Sequence, residues 1–197
     1  MGRVLGTAVQ IGVAVMNDTI PSRQRKTKVV FVQLGSPENP TPKAVRAYLR
    51  KFLADPRVVD INPWVWKFIL YCFVLPFRPK KSAELYQRIW DGSSFPLITN
   101  TADFTEKVRS ELKQIDPKGY VEVNHAFLLS PPYVSDVYDS WEEDLRNNVG
   151  ATKLMVIPMF PQYSESTIAS GVDALAKELS QRVKIPTFEV ITNFHRT

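Results

Sequence analysis

The feature that most limits the fold is an alternation of short strand-like runs with helical patterns. Residues 28–34, KVVFVQL, are a nearly continuous β-branched and apolar run, which suits a strand covered on both faces, as in a parallel sheet. YVEVNHAFL (120–128), TKLMVIP (152–158) and TFEVIT (187–192) read as further strands, with helical patterns at 134–148 and 166–183 between them. Such alternation with short connections implies an α/β fold, a mainly parallel sheet of about four strands with helices on both faces.

The first strand is followed by GSPENPTP, where Thr41 can cap a helix and Pro42 can open it. In that helix Ala44, Val45, Tyr48, Leu49, Phe52 and Leu53 fall on one face, with Lys43, Arg46, Arg50 and Lys51 elsewhere. KKSAELYQRIW (80–90) reads as a helix ended by Asp91 and Gly92, and residues 101–115 as another capped near Thr101. Between them WVWKFILYCFVLPF, Trp64 to Phe77, is too short for the roughly 20 residues of a membrane-spanning helix. Two readings stand side by side: a helix buried in the core, or an apolar lip beside a large apolar ligand or a membrane surface, with Arg78, Lys80 and Lys81 next to it. Residues 1–27 carry VLGTAVQIGVAVM without an A-x-A-like site and are expected to form a disordered extension to a domain spanning 28–197.

At 197 residues the chain suits one core. Its net charge of +5 comes from cations interleaved with 20 acids, so no nucleic-acid partner is expected. Cys72 is the only cysteine, with His125 and His195 the only histidines. That excludes an intrachain disulfide, offers no closely spaced zinc or iron–sulfur ligand set, and fits a cytoplasmic location.

Ligands of open α/β sheets bind beyond the carboxyl ends of the strands, so GSPENP (35–40), SPPY (130–133) and MFPQYSEST (159–167) are expected to share a cleft. The first loop lacks the glycine spacing that cradles phosphates. Ser164, Glu165, Ser166 and Thr167 are adjacent without a nucleophile elbow, which favours a hydroxyl cap on the next helix. His125, within a strand, reads as a hydrogen-bonded structural histidine.

Three stretches then agree with one family. VVFVQLGSPENPTPKAVRAYLRKFLADPRVVD, LPFRPKKSAELYQRIWDGSSFPLIT and VIPMFPQYSESTIAS resemble, in order and spacing, the amino-terminal half of bacterial ferrochelatases, which insert ferrous iron into a porphyrin late in haem synthesis. The resemblance implies the first of two similar domains, acting on protoporphyrin IX or a close relative, with porphyrin and ferrous iron as substrates and no tightly bound cofactor. It places Leu34 near the centre of the macrocycle and Arg78 and Tyr86 at its edge, with Gln162, Tyr163 and Ser164 lining the cleft. It also admits a peripheral membrane contact at the inner face through Trp64 to Phe77, and either a separate carboxyl-terminal half or a homo-oligomer as partner.

The chain departs from the family's pattern at several points. GSSFPL stands where G-S-P-L is usual, putting Phe95 on the serine position and leaving Ser93 or Ser94 as the substitute. AFLLS replaces A-M-R-Y-G, with Leu128 and Leu129 in place of arginine and tyrosine. Glu165 occupies the position of a cluster-binding cysteine in some relatives, so no iron–sulfur cluster is expected. The family's catalytic histidine, in S-x-H-S/G-x-P, and its assisting glutamate belong to the second domain, so the resemblance puts both beyond Thr197 and leaves no catalytic residue within the chain. No such motif occurs in these 197 residues, and His195 matches a position before it. The expectation is a half-enzyme inactive alone, against the rivals of a non-catalytic porphyrin- or haem-binding module and a half that works with a separate partner.

Overall fold

The structure is a computed structural model that describes residues 26–147, 152–160, 162–182 and 185–191. Four strands, β1 (Lys26–Gln33), β2 (Val121–Phe127), β3 (Thr152–Pro158) and β4 (Thr187–Val190), form one sheet in the order β2-β1-β3-β4, with every pairing parallel. The expected α/β sheet is therefore present. β1 is central, with Val29 aligned between Val123 and Met155, and its run from Thr27 to Val32 is buried, as a strand covered on both faces requires. It begins at Lys26, two residues before the expected boundary. The rest of the expected extension, residues 1–25, lies outside the described residues. So do His195 and Thr197, the residue beyond which the catalytic histidine and glutamate are expected; the described residues stop at Ile191, short of that boundary.

Alternation along the strands sends one set of side chains to each face. Val29, Phe31, Val123, Met155 and Ile157 meet Phe104, Val108 and Leu112 of α4 (Pro96–Ile115). Val30, Val32, Ala126, Leu154 and Val156 meet α5 (Val134–Ser140), α6 (Glu142–Asn147) and α7 (Ser170–Ser180), through Val137, Tyr138, Leu145, Leu175 and Leu179. At the foot of β1 the buried Lys28 is paired with Glu122 and, at 2.8 Å, with Asp144, so its charge is compensated where solvent is excluded.

The long β1–β2 connection carries α1 (Pro42–Leu53), α2 (Pro63–Ile69), a π-helical turn (Leu70–Val74) and α3 (Leu75–Gln87) before α4. α1 starts as expected: the Thr41 hydroxyl accepts from Ala44 N at 3.3 Å and Pro42 opens the helix. α4 differs, beginning at Pro96 rather than near Thr101. A proline at the first position presets the helical φ, and Thr101, well inside, donates its hydroxyl back to Leu97 O at 2.6 Å instead of capping. The helix expected over 134–148 breaks at the buried Trp141, whose indole N–H donates to Glu122.

The reading of 64–77 as a core helix is overturned. Within this stretch only Leu70 and Leu75 are buried, while Trp64 is 81% exposed, Phe68 62% and Phe77 73%, and α2 buries none of its residues. Leu70 and Leu75 close a small satellite core with Leu53, flanked by Leu49, Phe52, Val58, Val59, Trp66 and Val74, which leaves the rest as an apolar arm facing solvent. No helix among the described residues is long and apolar enough to cross a membrane.

Candidate functional site

The carboxyl ends of β1 and β2 open into a pocket of about 410 Å³. The loop after β1 contributes Ser36, Pro37 and Glu38, and the loop after β2 contributes Leu129, Ser130, Pro131 and Tyr133. α1 adds Ala44, Ala47, Tyr48 and Lys51, and the segment entering α4 adds Trp90, Ser93, Ser94, Phe95 and Ile98. Two of the three expected loops thus meet; no described residue of the loop after β3 lines this pocket.

Gly35 makes the meeting possible. Its φ of +94° favours glycine, and a Cβ there would stand 2.4 Å from Ser130 Oγ and 3.1 Å from Phe127 Cβ. The turn is tied on both sides, since Ser36 N donates to Ser130 Oγ at 3.3 Å and the Tyr48 hydroxyl donates to Gly35 O at 3.3 Å. Burial drives the Tyr48 phenol well above the usual tyrosine range, with Tyr86 adding to the effect, so it stays a neutral donor.

Beneath the pocket lies an aromatic cluster. Phe95 packs edge-on to Trp90 at 4.7 Å and to Tyr86 at 5.5 Å, and Tyr86 packs against Tyr48 at 6.1 Å. Phe95, on the family's serine position, is buried within that cluster. Ser93 reaches the pocket, but both its N–H and its hydroxyl donate to Asp91 Oδ1, at 2.8 and 3.0 Å. Together with the Ser94 N–H at 2.6 Å, these bonds hold the Asp91 carboxyl below the usual carboxylate range. Leu34 is half-buried, its N–H on Gln33 Oε1 and its carbonyl accepting from Leu129 N, each at 3.0 Å. Arg78 lies exposed on α3 beside the arm.

The loop after β3 stands apart from this pocket. Gln162 and Tyr163 are exposed, and Ser164 has its hydroxyl 3.1 Å from Ser166 Oγ. The expected hydroxyl cap is not formed: Ser164 makes no side-chain capping bond, and its carbonyl accepts from Thr167, Ile168 and Ala169 N–H at the start of a second π-helical turn (Glu165–Ala169). The two family departures in AFLLS also separate, Leu129 lining the pocket while Leu128 packs on the core beside α7.

Sequence reasoning missed Tyr48 and Lys51 as pocket residues, whereas Tyr133 closes the SPPY loop expected at the cleft. Lys51, which helical periodicity sets off the apolar face of α1, stays exposed while it donates to the Tyr133 hydroxyl at 2.7 Å and lies 4.9 Å from its ring centroid. His125 is also a correction: its buried Nδ1 has no hydrogen-bond partner among the described residues, so it is not the satisfied histidine expected. Burial, reinforced by Arg109 and opposed by Glu106, lowers its pKa and keeps it neutral near pH 7. No group of three or more His, Cys, Asp or Glu among the described residues could hold a metal ion.

The sequence model of the ferrochelatase family matches residues 26–197. Among curated proteins the chain is 40% identical over 172 residues to a coproporphyrin III ferrochelatase of Streptococcus mutans, covering 87% of this chain and 52% of that protein. It is 40% identical over 170 residues to a ferrochelatase of Idiomarina loihiensis, covering 86% and 45%, and 38% identical over 174 residues to ferrochelatase 2 of Shewanella oneidensis, covering 86% and 50%. The chain spans about half the length of the curated relatives it matches. A match along almost every described residue, on a four-stranded parallel sheet whose strand ends open into an aromatic-floored pocket, leads to one conclusion: the chain belongs to the ferrochelatase family.

Proposed function

We propose that this domain forms one wall of a porphyrin site in an enzyme that inserts ferrous iron into protoporphyrin IX or a close relative such as coproporphyrin III. The observation that carries the reading is the pairing of an aromatic-floored pocket at the strand ends with an exposed apolar arm that runs directly into Arg78, Lys80 and Lys81. A porphyrin is a flat apolar disc with carboxylates at its edge, and it needs apolar walls with cations at the rim. In this reading Arg78 meets a propionate, Leu34 and Tyr86 support the macrocycle, and Ser93, Gln162, Tyr163 and Ser164 supply polar contacts around it.

Iron is a substrate here, and its insertion releases two pyrrole protons that a base must accept. The 197-residue sequence contains no S-x-H-S/G-x-P motif, and the neutral His125 lies on a strand face under α4 rather than among the pocket residues. The polypeptide alone therefore binds porphyrin without metallating it. The exposed aromatic arm, flanked by cations, also suits peripheral contact with an anionic bilayer, which vesicle cosedimentation would detect.

The test is a fluorescence titration of protoporphyrin IX with the purified chain, alongside an iron-insertion assay free of host enzyme. Saturable binding weakened about fivefold or more by Arg78→Ala is expected, since a charge-assisted bond is lost. Absence of binding would remove the porphyrin reading, and turnover by the chain alone would refute the missing-base argument. Turnover restored by a separately expressed second half would exclude a purely non-catalytic binding module.

A further inference from the structure

The apolar arm raises a question of placement. α2 has no fully buried residue and only Trp66 packs against the satellite core, so burial does little to set its pose. Its connection to α3 is a ladder weakened over several residues: a π-helical turn in which Leu75 N donates to Leu70 O, followed by Pro76 and Pro79, neither of which has an N–H to offer. Such a junction has fewer backbone hydrogen bonds than an unbroken α-helix with which to hold α2 on α3.

The other end of the arm is tied down by polar contacts. The Trp66 indole N–H donates to Leu53 O, at the end of α1, at 2.6 Å. Just before α2, Arg57 sits in a turn built on Asp55, whose side chain accepts from Arg57 N at 2.8 Å and whose carbonyl accepts from Val58 and Val59 N–H at 3.0 and 3.2 Å. From this fixed base the Arg57 guanidinium forks onto Asp173, Nε to Oδ2 and Nη2 to Oδ1, the latter at 3.0 Å. Asp173 lies in the first turn of α7, which continues directly from the π-helical turn Glu165–Ala169.

We propose that Arg57 and Asp173 are positioning residues: their two-bond fork holds the root of the apolar arm against α7, the helix that follows the Gln162–Ser164 loop, and so sets the placement of the arm past which a flat apolar ligand enters. The assignment of a porphyrin as that ligand rests on the function proposed above; the clamp itself does not. An exposed ion pair contributes little to global stability, but a bidentate fork fixes direction as well as distance, and this one joins segments 116 residues apart. The competing explanation is an ordinary surface pair with no influence on the arm.

Hydrogen exchange measured by mass spectrometry on the full 197-residue chain separates the two. In Arg57→Ala and Asp173→Ala, peptides covering residues 55–69 are expected to exchange about two- to fivefold faster while those of α1 stay unchanged, the ratio expected for a bond of this class. The double variant Arg57→Asp with Asp173→Arg, which restores the pair with reversed polarity, should recover most of the protection, and porphyrin affinity should fall and recover in step. Unchanged exchange in the arm would overturn the proposal. So would faster exchange throughout the molecule that the charge swap leaves uncorrected, since that assigns the pair to general stability. Altered exchange with unaltered porphyrin affinity would overturn the link to ligand entry. A wild-type chain that binds no porphyrin would sink the functional reading alone, leaving the exchange data to decide the clamp.

Discussion

Replacing Gly35 by alanine tests whether the turn after β1 is what brings the two pocket loops together. Two costs follow from the structure. A non-glycine residue at φ +94° costs about 1–2 kcal/mol in backbone conformation. The new Cβ would also lie 2.4 Å from Ser130 Oγ, and Ser130 can relieve that contact by rotating only if it releases Ser36 N, a bond worth about 1 kcal/mol. The sum is about 2–3 kcal/mol, read as a lower midpoint in urea unfolding with an unchanged slope. The diagnostic variant is Gly35→Ala with Ser130→Ala, which removes the clashing oxygen and keeps the backbone penalty. The double variant should therefore be more stable than the sum of the single losses by about 1 kcal/mol. Strict additivity would refute the steric part of the argument, and a Gly35→Ala chain as stable as the parent would refute all of it.

His125 should give stability a pH dependence of defined sign. Burial and Arg109 lower its pKa in the folded chain, so the unfolded chain takes up the proton first and stability falls as pH drops below about 6.5; a His125→Leu variant should lose less between about pH 7.5 and 5.5, and equal losses would show that the histidine is not responsible. Trp66→Phe keeps the ring's apolar contacts and removes the 2.6 Å bond to Leu53 O, which should lower stability by about 1 kcal/mol in urea titrations; no change would mean that the indole N–H is as well served by water.

Much of the sheet was legible because its signals are local. A continuous apolar run at 28–34 and apolar strands between helical patterns dictate buried parallel strands wherever they occur, and Thr41 before Pro42 caps a helix with groups only three residues away. The family motifs belong to the same category, since they are read along the chain. Tertiary structure decided what depends on neighbours distant in sequence. Residues 64–77 are apolar enough for a core, yet both sheet faces are already covered by α4 to α7, so only Leu70 and Leu75 are buried, Trp66 and Val74 pack beside them, and most of the rest form an exposed arm. Tyr86 packs edge-on between Tyr48 and Phe95, and the exposed Lys51 meets Tyr133 from a loop 82 residues away, contacts that no local pattern could announce. The loops after β1 and β2 meet because Gly35 has no Cβ to hold Ser130 away, and Arg57 finds Asp173 across 116 residues. Periodicity and capping are properties of a segment, whereas burial, pocket membership and ion pairing are properties of what the folded chain places against it.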